Sequence, residues 1–385
     1  LHITEAYYPD SGGVSAIMRL LSEGLVEQGH EVIGLFMRNW VDDSVILDED
    51  CPWIEDSNDA LLVAEKLNIP FQVVDMSADY KTRIVDYMFA EYQSGRTPNP
   101  DVLCNREVKF DLFLQEALKL GASHVATGHY VQKTLSDDGV YHLNAGADLN
   151  KDQSYFLCQL NQDQLKHALF PIGDMQKSEV RALAKSLDLV TADKKDSQGL
   201  CFIGKVRLPD FLQQQLEVKQ GDIVEIAPDW QGFNVTAIGQ KWPLSPEDGK
   251  VVGQHQGAHF FTIGQRKGLL VGGKAEPLFV IATDTTRNVI YVGQGESHPG
   301  LLRKGLRIDG KDIHWVEPDK ALALAEERSI LLRFRYRQPL FKATMLIDKQ
   351  GMQITFNEPQ KAVAAGQFAA WYDKNTLIGS GVIHG

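Results

Sequence analysis

Between residue 31 and about residue 190, short β-rich runs alternate with helical patterns, and this alternation limits the fold more than any other feature of the chain. Apolar runs at 32–37 and 71–76 and a shorter one at 124–127 read as strands, while 58–67, 81–93, 107–120 and 178–187 carry helical periodicity. Such a sequence predicts a parallel sheet with crossover helices. Ligands of these sheets bind beyond the carboxyl ends of the strands, which marks Met37–Trp40 and Gly128-His129-Tyr130 as the place to look for a site. After Cys201 the texture changes to one helix near 209–216, a loop-rich insertion or extra hairpin at 229–250, and short strands broken by Gly and Pro. From about residue 280 the pattern is almost wholly β, with runs at 278–281, 289–292, 330–336, 343–347, 353–356 and 368–372 that suggest a small barrel or sandwich.

At 385 residues the chain can hold two or three domains, and with 43% hydrophobic and 23% charged residues it has an ordinary globular composition. No apolar run approaches a membrane span, and the first residues lack a basic stretch followed by an apolar one, so a cytoplasmic protein without a membrane partner is expected. A formal net charge of −12 argues against general nucleic-acid affinity, so any contact with RNA needs a local basic face. One candidate is the row Arg333, Arg335 and Arg337, which alternates with Phe334 and Tyr336 and, on a strand, would place three guanidinium groups together. The same pattern also describes a solvated strand face. Gln265-Arg266-Lys267-Gly268 adds a basic turn.

Of the 4 cysteines, Cys104 and Cys201 sit among Asn, Asp, Gly and Pro, in polar, turn-rich segments, and read as a working thiol pair. Arg106 and Lys109 follow the first, and Lys194, Lys195 and Lys205 flank the second, where they would favour a thiolate. Cys158 lies in an apolar run and reads as core, while Cys51 is uninformative. No Cys-x-x-Cys or His-x-Cys spacing occurs, so no structural zinc site is expected. Asn99-Pro100-Asp101 is either a plain turn or a carboxylate held near Cys104 for proton transfer. Ser11-Gly12-Gly13, ahead of the helical stretch 16–28, could offer backbone N–H groups to a phosphate, although Gly-Gly before a helix is common. His129 ends a strand, and Lys151-Asp152-Gln153-Ser154 is either a helix cap or a ligand-facing loop.

These segments resemble the bacterial tRNA-specific 2-thiouridylase family. The matching blocks are Gly34–Met37, Gly95–Asp101 through Cys104-Asn105, Ala126–Tyr130, Lys151–Phe156, Asp196-Ser197 through Cys201–Gly204, Gly264–Leu269, Arg335–Arg337, Pro359-Gln360 and Gly366-Gln367. The resemblance implies an α/β chain with a Rossmann-like sheet of the adenine nucleotide alpha-hydrolase type over 1–205, a small central tRNA-binding domain over 206–280 and a C-terminal β-barrel over 281–385. It implies ATP-dependent insertion of sulfur at C2 of the wobble uridine in tRNAs for Lys, Glu and Gln. Cys201 would carry the persulfide supplied by a donor protein, and Cys104 would be the second, nucleophilic thiol, with a Cys104–Cys201 disulfide left to be reduced. Ser11, Gly12, Gly13, Met37 and Gly128 would bind the nucleotide with Mg²⁺, no dedicated metal ligands being visible. Asn99, Pro100 and Asp101 would face the target base, and His129, Lys151, Asp152, Gln153, Arg335, Tyr336 and Gln367 would contact tRNA.

The front of the chain departs from that pattern. Ser15 and Ala16 follow Val14 where the family carries an acidic residue and a second serine, and residues 1–32 resemble the opening of a nucleotide-sugar-dependent glycosyltransferase. Two other readings follow, a tRNA-binding homologue unable to adenylate and a glycosyltransferase.

Overall fold

The computed structural model describes residues 2–5, 31–39, 52–193, 208–235 and 237–384. Strands β1 (His2–Glu5), β2 (Val32–Arg38), β3 (Phe71–Asp75) and β4 (His124–Ala126) are followed by a hairpin of β5 (Val131–Leu135) and β6 (Tyr141–Ala145), then by β7 (Ala168–Leu169). The first four and β7 form a parallel sheet in the order β3-β2-β1-β4-β7. The chain runs outward from β1 in one direction through β2 and β3, then returns to the other side of β1 with β4. The gap between the carboxyl ends of β1 and β4 is therefore the switch point of the sheet, where open α/β proteins bind ligands.

The helices Pro52–Lys66 and Lys177–Ser186 pack on this sheet beside Val32 and Phe36, and two further helical stretches that cover it are not uniform α-helices. The run from Ser77 to Gln93 contains a π segment at Lys81–Val85, and the run from Pro100 to Lys119 contains a longer one at Cys104–Leu112. The expected helices over 81–93 and 107–120 thus exist with altered winding. Tyr80, Ile84, Met88 and Phe89 from the first run and Val108, Phe110 and Phe113 from the second pack into one core, which continues into the barrel through Phe368, Ala370 and Tyr372.

A second sheet has the order β10-β11-β8-β9, from β8 (Gly221–Ile226), β9 (Gly249–His255), β10 (Leu278–Asp284) and β11 (Val289–Gln294). Separate apolar clusters line it, one around Ile223, Val280 and Val292 and another around Val224, Ile281 and Tyr291. The expected boundary at residue 280 falls inside β10, and β11 pairs in parallel with β8. The 229–250 segment is loop-rich, with a single turn of helix at Gly232–Val235.

The remaining strands are β12 (Leu302–Trp315), β13 (Glu327–Arg333), β14 (Phe341–Asp348), β15 (Gly351–Lys361), β16 (Phe368–Asp373) and β17 (Thr376–Ile383). They form an antiparallel sheet in the order β12-β15-β14-β13-β16-β17, closed into a barrel by the pairing of β12 with β17. Closure removes both edges, which resolves the choice between barrel and sandwich. The β5–β6 hairpin attaches to the start of β17 through Thr376 and Leu377, so the N-terminal part of the chain adds two strands to the barrel wall. Among the described residues no helix is long and apolar enough to cross a membrane.

The strand read at 330–336 ends at Arg333, and this breaks the expected guanidinium row. Arg333 is buried and paired with Asp152, Arg335 donates to the carbonyl of Ala362, and Arg337 takes a left-handed φ of 62° and lies over the Tyr336 ring at 5.1 Å. An alternating strand needs extended backbone at every residue, and the turn at 334–337 ends it.

Candidate active site

Cys104 is presented by a short, strongly specified segment. The helix Asp86–Gln93 stops at Ser94 and Gly95, whose φ of +71° is the left-handed conformation that ends helices cheaply only for glycine. Asn99 then caps a four-residue helix, Pro100–Leu103, its side-chain oxygen accepting from the Val102 N–H at 3.3 Å, with Pro100 at the first helical position where no donor is needed. Cys104 closes that helix and opens the π segment, a winding that recurs at functional sites because it re-aims side chains.

The thiol is well sheltered, Cys104 being only 3% exposed. Around it, Asn105 Nδ2 donates to the Phe156 carbonyl at 3.1 Å and Gln164 Nε2 donates to the Arg106 carbonyl at 2.8 Å. Of the basic neighbours, Arg106 is engaged by Glu107 at 2.7 Å and by the Gln159 side chain at 2.5 Å. Lys109 is buried in the same π segment, where its charge adds to the effect of burial in holding the His129 imidazole well below its usual pKa.

The barrel holds this segment from the other side. Gln367 Nε2 donates to the carbonyls of Thr97 and Pro98 at 2.9 and 3.0 Å, and Asn99 Nδ2 donates to Gln367 Oε1 at 3.4 Å. The Thr97 N–H donates to the Ala365 carbonyl at 2.8 Å. Gly366 permits this approach: a Cβ there would lie 2.9 Å from the Thr97 carbonyl oxygen, and its φ is +90°.

The other expected contact residues fall into distinct places. Gly128 and His129 follow β4 at the switch point of the sheet. His129 is buried beside Phe110 and Phe170, with its Nδ1 2.8 Å from Thr127 Oγ1. Met37 lies two residues beyond the last pairing of β2 with β1, and its side chain belongs to the core. Asp152 and Gln153 serve the interior. Asp152 accepts from the N–H of Gly146 and of Ser154 at 3.2 and 3.0 Å and forms a buried pair with Arg333 at 2.5 Å. Gln153 Oε1 accepts from the Tyr130 N–H at 2.9 Å. Arg335 and Tyr336 line an open groove of about 540 Å³ with Arg337 and Lys361, which is a local basic face on an acidic chain. Ser11, Gly12, Gly13 and Cys201 lie outside the described residues.

Sequence reasoning missed Tyr155, whose buried hydroxyl donates toward the carbonyls of Phe334 and Phe368 at 3.1 Å each and so fastens the 151–158 segment to the barrel. It sits in an apolar run, and only the requirement that a buried phenol find a partner could have singled it out. Cys158 is fully buried, and desolvation pushes its thiol up to about 12, as its apolar setting predicts.

This arrangement defines a class: a Rossmann-like parallel sheet whose switch point adjoins a sheltered cysteine segment, clasped by a β-barrel. Comparison with known proteins narrows it. A tRNA methyl transferase HUP domain family model matches residues 10–205, a tRNA methyl transferase PRC-barrel domain model matches 209–294, and an aminomethyltransferase beta-barrel domain model matches 305–383. The proteins named tRNA-specific 2-thiouridylase MnmA from Flavobacterium johnsoniae and Christiangramia forsetii are 59% and 58% identical to it, over 97% of this chain and 98% of theirs. That of Karelsulcia muelleri is 45% identical over 97% of both. The chain belongs to the tRNA-specific 2-thiouridylase family. The HUP match begins at residue 10, so it runs through most of the stretch that resembles a glycosyltransferase opening and includes Ser11, Gly12 and Gly13.

Proposed function

We propose that this chain is an ATP-dependent tRNA 2-thiouridylase acting at C2 of the wobble uridine of tRNAs for Lys, Glu and Gln. The observation that carries the reading is the setting of Cys104: it opens a π segment at the end of the short helix that Asn99 caps, and the barrel grips the entry to that helix through Gln367. ATP, bound with Mg²⁺ by Ser11–Gly13, Gly128 and the end of β2 at Met37, would transfer its AMP group to the uridine O2 with release of pyrophosphate and so turn that oxygen into a leaving group.

Cys201 carries the persulfide delivered by a sulfur-donor protein. Its terminal sulfur forms a bond to C2 as AMP departs with O2. The Cys104 thiolate then attacks Cys201 Sγ, the bond to the transferred sulfur breaks with its electron pair, and a Cys104–Cys201 disulfide remains for a two-electron reductant. Asp101, three residues before Cys104 in sequence, handles the thiol proton. Asn99 and Pro100 flank the target base.

The tRNA lies along the basic groove of Arg335 and Tyr336, the Tyr336 ring offering a stacking face and the guanidinium groups meeting phosphates. Gln153 and His129 support the tRNA site by holding the 127–130 segment, Gln367 by holding the Asn99 segment and Asp152 by anchoring Arg333, while Lys151 meets the tRNA itself. The domains divide at about 205 and in the connection after β11, and the protein works in the cytoplasm. The test is conversion of unmodified tRNA to 2-thiouridine with Mg·ATP and a persulfide donor. The wild type is expected to give product, and Cys104→Ser and Cys201→Ser none.

A further inference from the structure

A cavity of about 320 Å³ lies where the helix end at Ser94–Thr97, the β10–β11 hairpin and the barrel meet. It neighbours the basic groove of Arg335, since Arg303 follows Leu302 and pairs with Gln360, both of which line that groove, but no residue lines both, and nothing in the thiolation chemistry uses the cavity. Its cationic wall is Arg303, at the start of β12. That guanidinium lies flat on the Trp242 ring, 3.8 Å from its centroid, and donates through Nη1 to the Gln240 carbonyl at 2.9 Å. Among the described residues no carboxylate pairs with it. Desolvation pushes its pKa down to about 10, and no opposite charge restores it.

The rest of the lining has matching chemistry. Exposed Lys241 adds a second cation, and Thr283, Thr285 and Thr286 bring hydroxyls that bond to no other described residue. The carboxylate present, Asp284, is already engaged: its Oδ1 accepts from the Arg287 N–H at 2.9 Å, and its Oδ2 pairs with the Arg287 guanidinium at 3.4 Å. A planar donor fork, an ammonium and a row of hydroxyls form a set suited to tetrahedral oxyanions.

We propose that this three-way junction is a binding site for a phosphate group, held by Arg303 and Lys241 with the hydroxyls of the β10–β11 hairpin. The group is either a free phosphate anion or one phosphodiester of a bound RNA. Occupancy there would tie the barrel to the segment that leads into Asn99 and Cys104. Thr97 and Ala365, hydrogen-bonded to each other, both line the cavity, and a Cβ on Gly95 would touch Thr285 at 3.0 Å.

The test is equilibrium dialysis of the full chain against labelled inorganic phosphate, together with the salt dependence of tRNA binding. Wild type, Arg303→Gln, Arg303→Lys and Lys241→Gln are compared, each checked for fold by circular dichroism. Binding of one phosphate per chain, weakened about tenfold by Arg303→Gln and by Lys241→Gln and largely kept by Arg303→Lys, supports the site with a free anion as ligand. No phosphate binding, but a tRNA salt slope reduced by about 1 in both charge-removing variants, supports it with an RNA phosphodiester. If Arg303→Gln misfolds, the exposed Lys241→Gln decides alone. Neither phosphate binding nor a change in salt slope, or phosphate binding indifferent to both residues, overturns the proposal. The dialysis arm stands whether or not the chain thiolates tRNA.

Discussion

Gln367 of the barrel and Asn99 of the cysteine segment are hydrogen-bonded at 3.4 Å across 268 positions of sequence. Gln367 also binds the two carbonyls before Asn99, so three bonds from one side chain set the entry to the helix that delivers Cys104. Gln367→Leu removes them all while keeping the volume close. Single-turnover thiolation is expected to slow by about 100-fold, the cost of a misplacement near 1 Å, with tRNA affinity changed little. An unchanged rate would show that the clasp does not position the thiol.

Asp152 and Arg333 form a pair that is almost solvent-free, with side chains 2% and 7% exposed. Removing one partner leaves a buried charge unpaired, so Asp152→Asn or Arg333→Met should lower unfolding stability by about 3–5 kcal/mol. The double variant should lose much less than the sum. Denaturant unfolding of the four proteins measures this coupling, and strict additivity would contradict it.

His129, His255, His259, His298 and His314 all have folded-state pKa values below the ordinary 6.5, burial being the first cause of each. In the window between each folded value and 6.5 the unfolded chain binds more protons, so stability is fully present above 6.5 and falls as the pH drops below it. Each such histidine contributes a slope of at most about 1.4 kcal/mol per pH unit. Proton uptake on unfolding at acidic pH should be positive and should fall by up to about one proton in His129→Gln. An unaltered uptake would mean that His129 is protonated in the fold.

Much of the parallel sheet and most of the barrel strands are legible in the sequence, because β2, β3, β13, β14, β15 and β16 carry apolar runs that local pattern reading detects, whereas the runs at β10 and β11, read with the barrel, belong to the second sheet. The β5–β6 hairpin is not, since Val131-Gln132-Lys133-Thr134-Leu135 is half polar and its place on the barrel depends on pairing with residues 376 and 377. For the same reason the Arg333–Asp152 pair, 181 positions apart, defeats the reading of Arg333 as a surface cation. The π winding over Cys104–Leu112 leaves no mark on residue periodicity, so a regular helix is the natural expectation over 107–120. Asn99 and Pro100 announce the start of the segment because cap and proline residues act regardless of what packs on them, but Cys104, read within a polar, turn-rich segment, lies in a helical run and is buried, because its exposure is set by packing against distant residues.

Cys158 tests the division between working and structural thiols. Its carbonyl accepts from Ser380 Oγ at 2.5 Å and its side chain is fully buried, with its pKa pushed up to about 12. Cys158→Ala should leave thiolation intact and lower stability by about 1–2 kcal/mol from the small cavity left behind. In the folded protein Cys158 should resist iodoacetamide, as mass spectrometry of alkylated peptides would show. Rapid labelling there would contradict its placement.

The most direct measurement is mass spectrometry of the wobble nucleoside after the chain is incubated with unmodified tRNA for Glu or Lys, Mg·ATP and a persulfide donor, with Cys104→Ser in parallel. The account predicts 2-thiouridine from the wild type and only uridine from Cys104→Ser. Thiolation by Cys104→Ser at the wild-type rate would contradict it, as would a wild type that binds this tRNA and ATP yet leaves uridine unchanged.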